Sequence, residues 1–136
     1  MYLCGELSLV SAMSGKLSHL EIEADDVCTL LMKSNDSSAH IVLHMDYLAF
    51  RPKRTVEIQT DNLSISACLV SNSISTYDRT GVETVYDIGK IDRNYTYNEL
   101  QKSIIEQKPV ATTLLEANSI MKVIDEVTER YMEKSW

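Results

Sequence analysis

Three cations fall within four residues, Arg51, Lys53 and Arg54, in a chain whose formal net charge is −7. A guanidinium offers a planar fork of donors that fits carboxylate or phosphate, and Pro52 between them fixes the local backbone. Anion binding is the chemistry this spacing offers. The competing role is structural, since 20 acidic residues face 13 basic ones and the loop cations have many acids to pair with. Just upstream lies His44-Met-Asp-Tyr47, where an imidazole, a carboxylate and a phenol crowd the end of one apolar run.

Other chemistries find less support. Metal binding would have to draw on His19, His40 and His44 with nearby acids. His40 and His44 are four apart, about 13 Å along a strand at ~3.3 Å per residue, so they do not share an ion. His44 and Asp46 lie on one face, but two ligands make a weak site. Serines are numerous yet sit in turns or on alternating strand positions, with no nucleophile elbow. Asp25-Asp26 and the Glu21/Glu23 pair read as a solvated loop rather than as paired catalytic carboxylates. The four glycines (Gly5, Gly15, Gly81, Gly89) form no phosphate-cradling loop, so no cofactor is expected on this chain alone. Cys4, Cys28 and Cys68 are odd in number, far apart and without a Cys-x-x-Cys pair. They read as reduced thiols of a cytoplasmic protein, not as a disulfide frame or a zinc site.

The elements that must position these groups change period along the chain. Residues 6–13 and 26–33 read as strands, the second ending at the polar turn Asn35-Asp36-Ser37-Ser38. Residues 39–48 alternate: Ile41, Leu43, Met45 and Tyr47 point to the core, and His40, Val42, His44 and Asp46 point to a mixed face suited to subunit contact. Strands over 55–60, 63–68, 73–78 and 82–88 follow in hairpin succession, which makes the sheet mainly antiparallel. Then the period becomes helical. Thr96-Tyr-Asn-Glu99 predicts a capping box and a helix that stops before Pro109. Thr113-Leu-Leu-Glu116 predicts a second box and a helix to about Lys134, with Leu114, Ala117, Ile120, Met121, Ile124, Val127 and Tyr131 as its apolar stripe. Strands first and helices last predict an α+β fold: an open, mainly antiparallel sheet with helices packed on one face.

The 136 residues suit a single domain able to bury a core. The negative balance argues against nucleic acid and against an anionic membrane surface. No apolar run nears the ~18 residues needed to cross a bilayer, and no secretory signal is visible. Met1 to Gly5 reads as the last turn of a helix with Gly5 as its stop, which predicts a fragment cut from a longer chain.

The ordered set resembles the C-terminal domain of the glucose–fructose oxidoreductase / inositol dehydrogenase / MocA-like family of NAD(P)-dependent oxidoreductases. Tyr2–Glu6 resembles the helix end before that domain's first strand, and residues 15–26 resemble the loop into the second. His44–Tyr47 followed by Arg51–Arg54 resembles a stretch of members that handle nucleotide-linked or acidic sugars. Pro109 with Thr113–Glu116 resembles the connection into the terminal helix. The resemblance implies an N-terminal Rossmann domain that is absent from this chain, with NAD or NADP bound in the full-length enzyme. It implies an open sheet with helices on one face and the other used for self-association into a homodimer or larger assembly. His40, Val42 and His44 are the interface candidates. It also implies that this domain walls a pocket for a sugar-like substrate, for which Asp46, Tyr47, Arg51 and Arg54 are the candidates. No position matches the family's catalytic lysine segment or its Asp/His segment, so no catalytic residue is carried over and the chain alone is expected to be inactive. The alternatives are a stand-alone interaction module and a small-ligand binder using the basic loop.

Overall fold

The computed structural model of the chain describes residues 3–108 and 113–129. It contains seven strands followed by two helices: β1 (Leu7–Gly15), β2 (Val27–Ser34), β3 (His40–Asp46), β4 (Thr55–Gln59), β5 (Leu63–Cys68), β6 (Ser73–Asp78), β7 (Glu83–Asp87), α1 (Arg93–Ile105) and α2 (Leu114–Val127). The class is α+β and every strand pairing is antiparallel. The pairings form two sheets, β1-β2-β3 and β4-β5-β6-β7. The chain groups into two compact units to match: Met1–Leu48 with Thr112–Trp136, and Ala49–Ala111.

In the first unit the inward residues of the sheet meet α2. Leu9, Leu30, Met32 and Val127 are the buried hydrophobic core, with Leu7, Ala12, Cys28, Ile41 and Val123 packed against them. A bulge between Leu9 and Ser11 adds one residue to β1. That insertion leaves Val10 half exposed and lets Leu9 and Ala12 share a face although they are three apart. The β2–β3 turn is held by Ser34, whose buried hydroxyl accepts the amides of Asp36 and Ser37 at 3.1 and 3.0 Å and donates to Cys4 O at 2.7 Å. Gly5 adopts a left-handed φ of 67°, and a side chain there would collide with the Asp36 carboxylate.

The alternation expected in β3 is present in its register, with His40, His44 and Asp46 opposite Lys33, Thr29 and Val27. Its inward set is covered unevenly: Ile41 joins the core, while Leu43, Met45 and Tyr47 stay 41%, 48% and 75% exposed. The helix explains this, because α2 packs on β1, at the far edge from β3. Its stripe is also shifted from the expected one. Val127 and Val123 turn to the sheet, while Leu114, Ile120, Met121 and Ile124 remain exposed. Tyr131, Lys134 and Pro109 lie outside the described residues.

The second unit is the meander β4–β7 with α1. Its turn at residues 78–81 is built by Asp78, whose Oδ1 accepts the amides of Thr80 and Val82 at 2.8 and 3.0 Å, with Gly81 left-handed at φ 80°. Ser103 of α1 is buried and donates to Leu100 O at 2.7 Å. The helix starts a turn earlier than its sequence pattern predicts. Asp92 is the N-cap and accepts the amide of Asn94 at 2.9 Å, which places Thr96 inside the helix. The second predicted box is present: Thr113 Oγ1 accepts the Glu116 amide at 3.2 Å, and the Glu116 carboxylate accepts the Thr113 amide at 2.8 Å.

Candidate functional site

The basic segment lies between β3 and β4, in the stretch 47–54, which is irregular and exposed throughout. Both ends are tied down. Tyr47 donates its amide to Asp26 O at 2.9 Å, and Leu48 donates to Asp46 Oδ1 at 2.9 Å, which closes a side-chain turn at the end of β3. At the other end Arg54 O accepts the amide of Leu69 at 2.8 Å, extending the β4–β5 ladder by one step. Asp46 and Tyr47 belong to the first unit, Arg51 and Arg54 to the second.

The ion pairs among the described residues are His44–Asp46, Lys102–Glu99 and Lys108–Glu106. Arg51, Lys53 and Arg54 take part in none of these pairs among the described residues. Beside them Phe50, the chain's single phenylalanine, is fully exposed at 107%. Sequence reasoning left Phe50 out of the candidate set although the signal was present: an aromatic directly before Arg51-Pro52, just beyond a strand end.

The outward face of the first sheet carries the interface candidates. Val42 is 68% exposed, and His40 and His44 are also exposed, with Met13 and Leu31 on the same face at 70% and 40%. His44 is held on both nitrogens: Nδ1 lies 2.8 Å from Thr29 Oγ1, and Nε2 lies 3.3 Å from Asp46 Oδ2. With neutral imidazole, the Thr29 hydroxyl donates to Nδ1 and Nε2–H donates to Asp46. This hydroxyl–imidazole–carboxylate chain sits on an open sheet face, where it orients His44 across the β2–β3 pair. Thr29 was not legible as its partner because the contact depends on strand register.

The loop 16–26 is organised around Asp26, which is 1% exposed. Its oxygens accept the amides of Leu17 and Ser18 at 2.7 and 2.8 Å and the Ser18 hydroxyl. These bonds, the Leu17 amide first, hold its carboxyl below the usual carboxylate range. A shallow depression of about 430 Å³ beside it is bounded by Lys16, Ile22, Glu23, Ala24 and Asp25. Lys16 Nζ is engaged there, donating to Ile22 O at 2.7 Å, and Asp25 accepts the Ser14 hydroxyl at 2.6 Å. Neither group is positioned as a catalytic base. Among the described residues no three His, Cys, Asp or Glu side chains gather as a metal site, and no helix is long and apolar enough to cross a membrane.

No family model and no curated protein matches the chain. The fold is similar to that of solved UDP-N-acetylglucosamine 3-dehydrogenase GnnA from Acidithiobacillus ferrooxidans. In its P212121 crystal form the TM-score is 0.68 at 16% identity over 87% of this chain, and in its P21 form 0.59 at 18% identity over 76%. The chain spans 39% and 33% of those two chains, between a third and two fifths of their length. At such identities the likeness is one of fold.

Proposed function

We propose that the chain is the substrate-side and subunit-association domain of an NAD(P)-dependent oxidoreductase of the glucose–fructose oxidoreductase / inositol dehydrogenase / MocA type, acting on a sugar nucleotide. The observation that carries this reading is the fold likeness to a sugar-nucleotide dehydrogenase over 87% of this chain but only 39% of the other. The sequence resemblance in His44–Tyr47 and Arg51–Arg54 points the same way. In the whole enzyme the hydride passes between a nicotinamide, supplied by a Rossmann domain, and a sugar carbon. This domain's part is to position substrate and exclude water.

Asp46, Tyr47, Arg51 and Arg54 are the substrate candidates under this proposal. Asp46 has one oxygen in the Leu48 turn and the other toward His44, which suits a positioning role. His40, Val42 and His44 are the self-association candidates, supported by the exposed apolar residues Met13, Leu31 and Val42 on one sheet face. Three free thiols support a reducing, cytoplasmic setting.

Two measurements test the reading. Calorimetry with NAD(H) and NADP(H) on the purified chain is expected to give no tight binding, and tight binding overturns the division of labour. Light scattering after gel filtration is expected to show a dimer or larger, with Val42→Asp shifting it toward monomer. A wild-type monomer at all concentrations removes the association role.

A further inference from the structure

We propose that Phe50–Arg54 is a nucleoside-diphosphate site, with Arg51, Lys53 and Arg54 on the phosphates and Phe50 against the base. This deepens the sugar-nucleotide reading above and rests on it for the identity of the ligand. Three observations carry it, all within the second unit.

First, the three cations are exposed and take no part in the ion pairs among the described residues, although acids outnumber bases by seven in the chain. Cations this close repel one another, and an internal acid would relieve that at little cost. Cations that form no ion pair among the described residues stay open to an external anion with more than one charge. Arginine forks and a lysine ammonium match two linked phosphates, which accept bidentate and point-charge donors together.

Second, Phe50 has no packing role, being 107% exposed. A flat π-face beside cations is the arrangement that stacks a nucleobase while its phosphates are held, and stacking asks nothing of backbone structure. From Phe50 to Arg54 the backbone reaches at most about 14 Å, so one ligand the size of a nucleoside diphosphate can meet all four side chains.

Third, the segment is fixed where it needs to be. Pro52 restricts the backbone between the two arginines, and the Leu69–Arg54 hydrogen bond at 2.8 Å pins its end to the β4–β5 ladder. A binding loop on a rigid strand end loses little freedom when the ligand arrives.

A nucleoside diphosphate reaches such a site from a sugar nucleotide or from a dinucleotide cofactor. The test is an NMR titration of the purified chain with UDP, UDP-N-acetylglucosamine, NAD and inorganic pyrophosphate, on wild type and on Phe50→Ala, Arg51→Ala and Arg54→Lys. All three side chains are exposed, so these variants keep the fold. UDP and UDP-N-acetylglucosamine are expected to shift residues 50–54 with similar affinity, falling steeply with salt. Arg51→Ala is expected to weaken UDP and pyrophosphate about tenfold or more. Phe50→Ala is expected to weaken UDP but not pyrophosphate, which has no base, and Arg54→Lys to weaken both despite keeping the charge. Variants that bind UDP as wild type does, or a loop silent to UDP at millimolar concentration, overturn the proposal. UDP-N-acetylglucosamine binding elsewhere with the loop silent removes this site and leaves the sugar-nucleotide reading standing. NAD binding at the loop more tightly than UDP leaves the site standing and removes that reading.

Discussion

Asp26 Oδ2 accepts both the amide of Ser18, at 2.8 Å, and the Ser18 hydroxyl, so one buried oxygen closes the loop that leads from β1 to β2. With Leu17 on the other oxygen, three donors of the loop end on a single carboxylate. The loop's shape depends on that group being ionised.

Acid unfolding follows from this relationship. Hydrogen bonds, led by the Leu17 amide, lower the Asp26 carboxyl in the folded state, and Asp78 and Glu116 are lowered in the same way by Thr80 and Thr113. The unfolded chain, with aspartates near 3.9, then binds more protons than the folded chain as pH falls. The stabilisation is complete above about pH 5 and is lost as pH drops through the lowered folded values. Asp26→Asn is expected to lower the melting temperature at neutral pH by several degrees and to flatten the acid limb. A mutant with the wild-type pH profile contradicts this, as thermal melts from pH 3 to 7 would show.

The first unit's core is small, so its members should be costly to truncate. Leu30, 7% exposed, packs with Leu9, Met32 and Val127, and Leu30→Ala is expected to cost about 2–5 kcal/mol. Val42, on the opposite face, is 68% exposed, and Val42→Ala is expected to change folding stability by less than about 0.5 kcal/mol. Urea titrations of the two variants compare them directly.

The start of α1 distinguishes two sequence patterns. Asp92→Ala removes the cap on the Asn94 amide and is expected to cost about 0.5–2 kcal/mol. Thr96→Ala, inside the helix, is expected to stay within about 0.5 kcal/mol. The reverse order in chemical denaturation would restore the Thr96 box.

Cys68 ends β5, and its thiol is lowered first by the Ser71 hydroxyl and then by the amides of Ser71 and Val70. A larger thiolate fraction makes it the expected first site of alkylation near neutral pH. Peptide mapping after brief iodoacetamide treatment reads this out, and Ser71→Ala is expected to slow Cys68 several-fold. Uniform labelling of Cys4, Cys28 and Cys68 would refute it.

Local pattern carried much of the fold. Period-two alternation located β3 and assigned the faces of His44 and Met45, because a strand's side chains alternate whatever its partners are. The Thr113 box was legible because both its partners lie within four residues. Asp92 was missed because Thr96–Glu99 presents the same residue types one turn later, and only hydrogen bonding decides between them. The split into two sheets was hidden in Tyr47–Arg54, since a strand–loop–strand pattern is identical whether the second strand pairs with the first or opens another sheet. Within the candidate site, charge made Arg51 and Arg54 visible. Phe50 was overlooked because an aromatic residue is assumed buried until its exposure is seen.

The chain leaves the first unit at Leu48 and re-enters it at Thr112, yet Val127 belongs to the same core as Leu9, Leu30 and Met32. During synthesis β1, β2 and β3 therefore emerge before α2, and the ribosome must complete the whole second unit before α2 exists to shield their apolar side. The meander can form from neighbouring segments as it appears, whereas the first sheet waits for a contact between β1 and α2, far apart in the chain. Its exposed interval on the ribosome, rather than its final stability, is where this architecture is open to capture by chaperones or by another nascent copy.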